Sequence, residues 1–444
     1  MGPADHNEEE ILKQDFAEAE LPASGMHALL ASFIEGAQYL DADRKAQKDL
    51  FLETSGFRDE RVQLLDRLRI WDALLDTDRD VEEMSAYCEE IAAQKQAGYG
   101  QSLKTILDKT RELERTYRSV DAFFSNTERD RVPNVSFMNA GLEQLKDLDD
   151  TLFVDFVREE FKKNYDRLDL RDHYSLLVIP GYLGSRAAVE VWGKLAHENK
   201  VMLITDFEHL DEPDDVMELF ERVHHAGGEK FLSSVMMTCN WLVARGGYND
   251  AGEDEVLYMP PSTALAGRLY TTLMSQVAAG KKFGVLSGIN GVAFELKKSE
   301  IANLEKMSLI PMVKEQGRVV AYSAKTLFNG DNMGLQTYSV VRVFDYVTKV
   351  LIDFLNRRAF ENFNANTRRE LMTQMVLFLD GISGPRKLVE NFTIRRFEQD
   401  AVKKDNIHLD IYMKPYFPAK NFLIKMEGQK NDDGNSWDTD YDDS

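Results

Sequence analysis

Apolar positions recur at helical spacing through the first 170 residues and alternate near the end of the chain. Met26, Leu29, Leu30, Phe33, Ile34 and Ala37 fall at i, i+3, i+4, i+7, i+8 and i+11, one stripe of a short amphipathic helix with Ser24 placed to cap it. Charged residues 41–49 follow. The helix is therefore either an ordinary docked element or an exposed peptide that a partner groove captures. Residues 58–127 read as helices, and Leu103, Ile106, Leu107, Leu113, Tyr117 and Val120 keep a period near 3.6 through charged sequence. Val132-Pro133-Asn134 breaks that pattern. It resumes over 141–168, where Leu152, Phe153, Phe156, Val157 and Phe161 are expected to face a core.

The texture changes at Tyr174. Tyr174 to Ile179 is a short apolar run stopped by Pro180-Gly181, a helix is predicted over 186–199, and Val201 to Thr205 is a second run. Strand, helix and strand in that order predict a β–α–β unit with a right-handed crossover. A helix over 214–226 and an apolar run from Ser234 to Val243 extend it. After the Gly-rich acidic loop 246–256, residues 318–322 read as a strand. A long helix over 338–363 carries Val340, Phe344, Val347, Leu351, Phe354 and Leu355 on one face, and a second helix over 367–380 stops at Gly381. Residues 391–398 read as one strand. Leu409, Ile411 and Met413 alternate with Asp410, Tyr412 and Lys414, and Phe422, Ile424 and Met426 alternate with Leu423 and Lys425, with Pro415 to Pro418 between the two runs. Two such terminal strands are too little to fold alone and need other strands, from this chain or another.

Charge changes this picture in one respect. The 444 residues hold 76 acidic and 54 basic side chains, a net charge of −22. Residues 1–250 carry −22, residues 251–430 carry +6 and the last fourteen carry −6. A negative front and a positive back suit stacking on further copies, and nothing offers the dense basic face that nucleic acid requires. With 43% hydrophobic residues the chain can build a sizeable core, and no apolar run approaches the roughly 20 residues of a membrane span. The acidic start to Glu20 lacks the basic and apolar stretches of a secretion signal. Cys88 and Cys239 are the only cysteines, so a disulfide framework is excluded and a cytoplasmic setting is expected.

Catalytic constellations are weak. None of the eight histidines has metal-ligand spacing, and the adjacent His224 and His225 point about 100° apart on a helix. Gly280-Lys281 is followed by Lys282 and lacks the upstream glycine of a phosphate-binding loop. Ser185 follows Gly184 after a strand but is misplaced for a nucleophile elbow, and reads better as a helix cap. The acidic cluster from Asp206 to Asp215 is a candidate cation site, although such loops usually cap the next helix, here through Asp214 or Asp215. No catalytic residue, cofactor site or metal site is assigned.

Three separated stretches resemble contractile tail sheath proteins. The first is Met259-Pro260-Pro261-Ser262 followed by Ala266-Gly267. The second runs from Gly317-Arg318-Val319-Val320 through Ala324-Lys325-Thr326-Leu327 to Tyr338 and Arg342, leading into the long helix. The third is Leu409, Ile411, Met413, Pro415 and Pro418-Ala419, then Phe422 and Ile424. They span about 170 residues. With the acidic helical front, the whole is similar to the large sheath subunit of type VI secretion systems, the TssC or VipB-like family, and closest to the branch found in Bacteroidetes. The stretch 278–292 and the acidic tail depart from the better-known members.

The resemblance implies a mixed α/β (α+β) fold in five parts. These are a mobile N-terminal segment with a short amphipathic helix (1–45), a mainly helical region (46–172), a central α/β sheath core (173–390), C-terminal strands for an inter-subunit sheet (391–428) and a disordered acidic tail (429–444). It implies no enzyme and no cofactor. Partners would be a small TssB or VipA-like sheath subunit, copies of the chain in a helical lattice, an Hcp-like inner tube, a baseplate and a ClpV-type disassembly ATPase, with no nucleic acid and no membrane. Leu409, Ile411, Met413, Phe422 and Ile424 would lie on strands completed by neighbouring subunits. Met26, Leu29, Leu30, Phe33 and Ile34 would form the ATPase handle. The alternatives are a sheath protein of a related phage-tail-like contractile particle, or an α/β enzyme using the loops near Gly181 and Asp206.

Overall fold

The computed structural model describes residues 34–40, 44–76, 80–127, 132, 134–149, 151–165, 170, 173–419, 423–429 and 436–442, the last two stretches by backbone alone. The chain divides into two units, residues 1–102 and 103–444. The division falls within the helix Val81–Ser125, so the helical region 46–172 contributes to both.

In the first unit, α1 (Lys45–Glu53) and α2 (Arg58–Leu75) close a small core of Ile34, Ala37, Leu40, Phe51 and Leu64. Tyr39 stacks on Phe51 with ring centroids 4.8 Å apart. Arg61 is buried, and its Nη1 donates to the carbonyls of Phe51 and Thr54 at 2.5 and 2.9 Å. The last carbonyls of a helix lack intrahelical partners, and a cation there also meets the negative end of the dipole. Then α3 (Val81–Ser125) begins.

In the second unit, α4 (Leu152–Tyr165) buries Val154, Val157 and Phe161. Leu152 and Phe156, expected in that core, are 77% and 55% exposed, because the buried face is set one residue away from them. The predicted β–α–β unit is present as β1 (Leu176–Tyr182), α5 (Arg186–Glu198) and β2 (Met202–Asp206), with β1 and β2 parallel. β1 does not stop at Pro180-Gly181. A register shift between Ile179 and Tyr182 and φ +99° at Gly181 absorb the proline, which an edge strand tolerates. Ser185 caps α5, its Oγ accepting the Ala188 N–H at 3.2 Å. α6 (Pro213–Val223) ends where His224 turns to φ +53°, three residues before the expected limit.

The apolar run 234–243 is two strands, β3 (Val235–Cys239) and β4 (Leu242–Arg245), separated at Asn240 with φ +65°. There follow β5 (Leu257–Met259), α7 (Ser262–Thr271), β6 (Val285–Leu286), α8 (Lys298–Lys306), β7 (Ile310–Glu315) and β8 (Arg318–Ala321). The main sheet has the order β1-β2-β3-β7-β8-β6; the first four strands are parallel, and β8 runs antiparallel to β7 and β6. Both faces are covered. Leu203 of β2 joins one cluster with Trp192, Phe207 and Phe220, while Met202 and Ile204 join another with Leu265, Leu269 and Tyr338. A strand buried on both faces reads as a continuous apolar run, which is why β2 does not alternate.

A third cluster lies under the C-terminal hairpin. α9 (Tyr338–Asn356) is seven residues shorter than expected, and α10 (Ala365–Ile382) follows. Val343, Val347, Leu351, Leu371, Met375 and Leu379 pack with Val389 and Phe397 of β9 (Val389–Gln399), which pairs antiparallel with β10 (Ile407–Pro415). Beyond it, β11 (Leu423–Gln429) pairs antiparallel with β12 (Ser436–Asp442). The acidic tail, expected to be disordered, thus carries a strand. Its Trp437, Thr439 and Tyr441 alternate with acidic or polar residues, a pattern compatible with pairing.

Candidate assembly surfaces

The carboxyl ends of parallel strands are where α/β folds usually hold ligands. Here that position is filled from within. Asp206, at the end of β2, is fully buried and accepts four hydrogen bonds. These come from the Gly181 N–H (2.8 Å), the Ser262 N–H (2.8 Å), the Ser262 Oγ–H (2.6 Å) and the Thr238 Oγ–H. Burial pushes its carboxyl up to about 6 while these donors pull the other way. Ser262 opens α7, so the carboxylate occupies the positive end of that helix. The sequence reading gave this capping role to Asp214 and Asp215, which do sit in the first turn of α6. It missed Asp206 as the cap of a helix 56 residues away; the two prolines before Ser262 were the available signal. Among the described residues, no group of three or more His, Cys, Asp or Glu is placed to hold a metal ion. His225 is buried against Phe207 and Phe220, with its Nε2 3.0 Å from Tyr182 Oη, and burial pushes it down to about 4.

The second half of α3 docks by its charged face. Arg245 of β4, 8% exposed, pairs with Glu114 and Glu253, each at 2.7 Å. Arg111 reaches Glu253 and the Val256 carbonyl, Arg115 the Tyr258 carbonyl at 3.0 Å, and Arg118 the Ala244 carbonyl at 3.1 Å. The Arg245 hydrogen bond is the main cause that holds Glu114 down at about 2. The apolar stripe read from the sequence is left outside: Leu103, Ile106, Leu113 and Tyr117 are 50% to 71% exposed. Leu103, Ile106 and Leu107 wall a groove of about 580 Å³ closed by Tyr248 to Ala251. Single exposed apolar residues are ordinary, whereas here four lie along one face of one helix.

At the C-terminus, Leu409, Ile411 and Met413 turn inward to the third cluster, while Asp410, Tyr412 and Lys414 are exposed. The hairpin β9–β10 is a sheet of two strands, so apart from the bridge from Ser383 to Val389 at the start of β9, one edge of each is unpaired among the described residues. Ile424 lies on β11, and Phe422 lies outside the described residues. Of the five handle candidates, Met26, Leu29, Leu30 and Phe33 also lie outside them. Ile34 is only 4% exposed and packs in the core with Phe51 and Leu64, so it is not presented as part of an exposed peptide.

Residues 15–103 match the N-terminal region of TssC/VipB-like proteins, residues 105–329 the central domain of type VI secretion system TssC/VipB, and residues 337–443 the C-terminal domain of TssC/VipB-like proteins. The chain belongs to the TssC/VipB family. Within that family it is a large subunit of a contractile sheath, assembling into a helical lattice. The fold agrees. The anti-feeding prophage helical sheath in its contracted state is similar with a TM-score of 0.50 and 16% identity, over 71% of this chain and 81% of that one. A chain of the same prophage's baseplate has a TM-score of 0.50 and 16% identity, over 70% and 80%. No curated protein matches the sequence.

The TssC-like motifs now have structural reasons. Pro260-Pro261-Ser262 delivers the Ser262 donors to Asp206. Ala266-Gly267 lets α7 press on the end of α3, where a Cβ at Gly267 would lie 2.3 Å from the Phe123 carbonyl oxygen. Tyr338 receives the Ala278 N–H at 2.8 Å, anchoring the start of α9. These residues build the subunit rather than a reaction site, in keeping with a structural role.

Proposed function

We propose that this large sheath subunit serves a type VI secretion apparatus in the bacterial cytoplasm. There it pairs with a small sheath subunit, and the heterodimers wrap an inner tube of hexameric rings on a baseplate. Contraction drives the tube outward. The observation that carries this reading is that all three regions of the TssC/VipB family occur in order over residues 15–443.

The α3 stripe from Leu103 to Tyr117 is the surface we assign to the small subunit, because an apolar helix face beside a groove suits a partner helix. The free edges of β9 and β10, and the hairpin β11–β12, are assigned to neighbouring copies. Strand addition gives main-chain hydrogen bonds and tolerates movement of the bodies it links. A head-to-tail contact that does not close produces a helix of subunits. Contraction needs no bond chemistry in this chain: a gain of about 1 kcal/mol per subunit, the scale of a single contact, becomes large over hundreds of copies. The residues before Ile34 are assigned to the disassembly ATPase.

Co-expression with a candidate small subunit, followed by electron microscopy, tests the reading. Tubules containing both chains are expected. Monodisperse single chains would end it, and tubules built without any second subunit would favour a free contractile particle.

A further inference from the structure

The turn between α9 and α10 carries two phenylalanines, and they go opposite ways. Phe363 packs into the third cluster, with its ring centroid 5.4 Å from that of Phe397. Phe360 is fully exposed. It also sits at φ +68°, in the left-handed region where helices commonly end on glycine. A bulky side chain there is an outlier on backbone grounds, and this one gains no burial on its own chain in return.

The turn that presents the ring is braced on both sides. Arg358 pairs with Glu361 at 2.6 Å and with Glu370 of α10 at 2.8 Å. Asn364 caps α10, its Oδ1 accepting the Asn366 and Thr367 N–H groups at 2.9 and 3.0 Å. The ring is thus held out on a fixed turn, and little ordering remains to be done when it is covered. The nearby charges indicate the cover. Arg358 takes up Glu361 and Glu370, and Arg357 takes up Asp353 at 2.9 Å, whereas Arg368 and Arg369 stand exposed near the positive end of α10. An aromatic ring beside basic side chains fits an acidic surface, and residues 1–250 of this same chain carry −22.

We propose that Phe360 is an anchor of the contact between copies of this chain, seated on the acidic half of the next copy with Arg368 and Arg369 against its carboxylates. A contact between two different patches of identical chains can extend without closing, as a helical lattice needs. The proposal rests on the assembly of copies into a lattice and is independent of which contractile machine they serve.

The test uses the full-length chain co-expressed with the small subunit. Phe360→Gly relieves the backbone and removes only an uncovered ring, so the unfolding temperature of the isolated chain should hold or rise while tubules are lost. Arg368→Glu with Arg369→Glu suits the helix end and should fold as well, yet it should cut tubule yield about tenfold through like-charge repulsion. A chain with p-benzoylphenylalanine at position 360, irradiated in tubules mixed with unaltered chain, should crosslink to residues 1–250 of a second copy. Tubules from Phe360→Gly would overturn the proposal, as would a crosslink to the small subunit, to the inner tube or beyond residue 250 of a second copy. Absence of tubules from the unaltered chain would instead end the lattice reading on which it rests.

Discussion

The Asp206 carboxylate accepts the Ser262 backbone N–H at 2.8 Å, joining the end of β2 to the start of α7. Asp206→Ala orphans donors from three separate segments and opens a polar void. It should cost about 3 kcal/mol of unfolding free energy, and Ser262→Ala about 1 kcal/mol. Urea denaturation measures both. A neutral Asp206→Ala would mean that water replaces the carboxylate.

Glu114 gives a pH signature. Its carboxyl stands at about 2 in the folded chain against 4.5 when free, so the folded state binds fewer protons between those values. The stabilisation is therefore present above pH 4.5 and lost as pH falls toward 2, by up to about 2 kcal/mol. Glu114→Gln should flatten the pH dependence of stability in that window, measured by denaturation at a series of pH values.

Gly267 has no room for a side chain. Gly267→Val should destabilise by about 2–3 kcal/mol, because the Phe123 carbonyl and the Asn126 side chain both stand in the way. Thermal unfolding tests this; an unchanged midpoint would show that α3 and α7 separate freely.

Leu113 and Tyr117 are 71% and 68% exposed, so Leu113→Asp with Tyr117→Asp should change the stability of the isolated chain by no more than about 1 kcal/mol. Co-purification of the small subunit should nevertheless be lost. Undiminished capture would remove the α3 stripe from the interface.

Two truncations separate the ends. Removing residues 1–33 spares the Ile34 core and should leave tubules intact while abolishing pull-down by the disassembly ATPase. Removing residues 420–444 keeps Tyr416, whose Oη donates to the Gly384 carbonyl at 2.7 Å, so the β9–β10 hairpin should hold while tubules fail to form. Normal tubules after the second cut would exclude β11–β12 as an inter-subunit link.

Much of the architecture was legible because it rests on local rules. The β–α–β unit showed as two apolar runs around an amphipathic helix, Ser185 as a cap, and Leu409, Ile411 and Met413 as an inward-facing set. β6 and β7 were not seen. The first is two residues long, and neither carries a period that separates it from a loop. The family resemblance rested on residues such as Ser262 and Gly267, whose reasons for being there concern partners far along the chain.

By itself the sequence determined where most of the helices and the β–α–β strands form, since period, caps and breakers act over a few residues. It also determined that charge is unevenly spread. Only the tertiary structure decided which face of α3 is used. An apolar stripe ordinarily points inward, but Arg245 pairs with Glu114 at 2.7 Å and Glu253 takes up Arg111, so the charged face is used and the stripe stays exposed. Ion pairs between residues more than a hundred positions apart leave no periodic trace, so the side of a helix that meets its own chain is settled by folding.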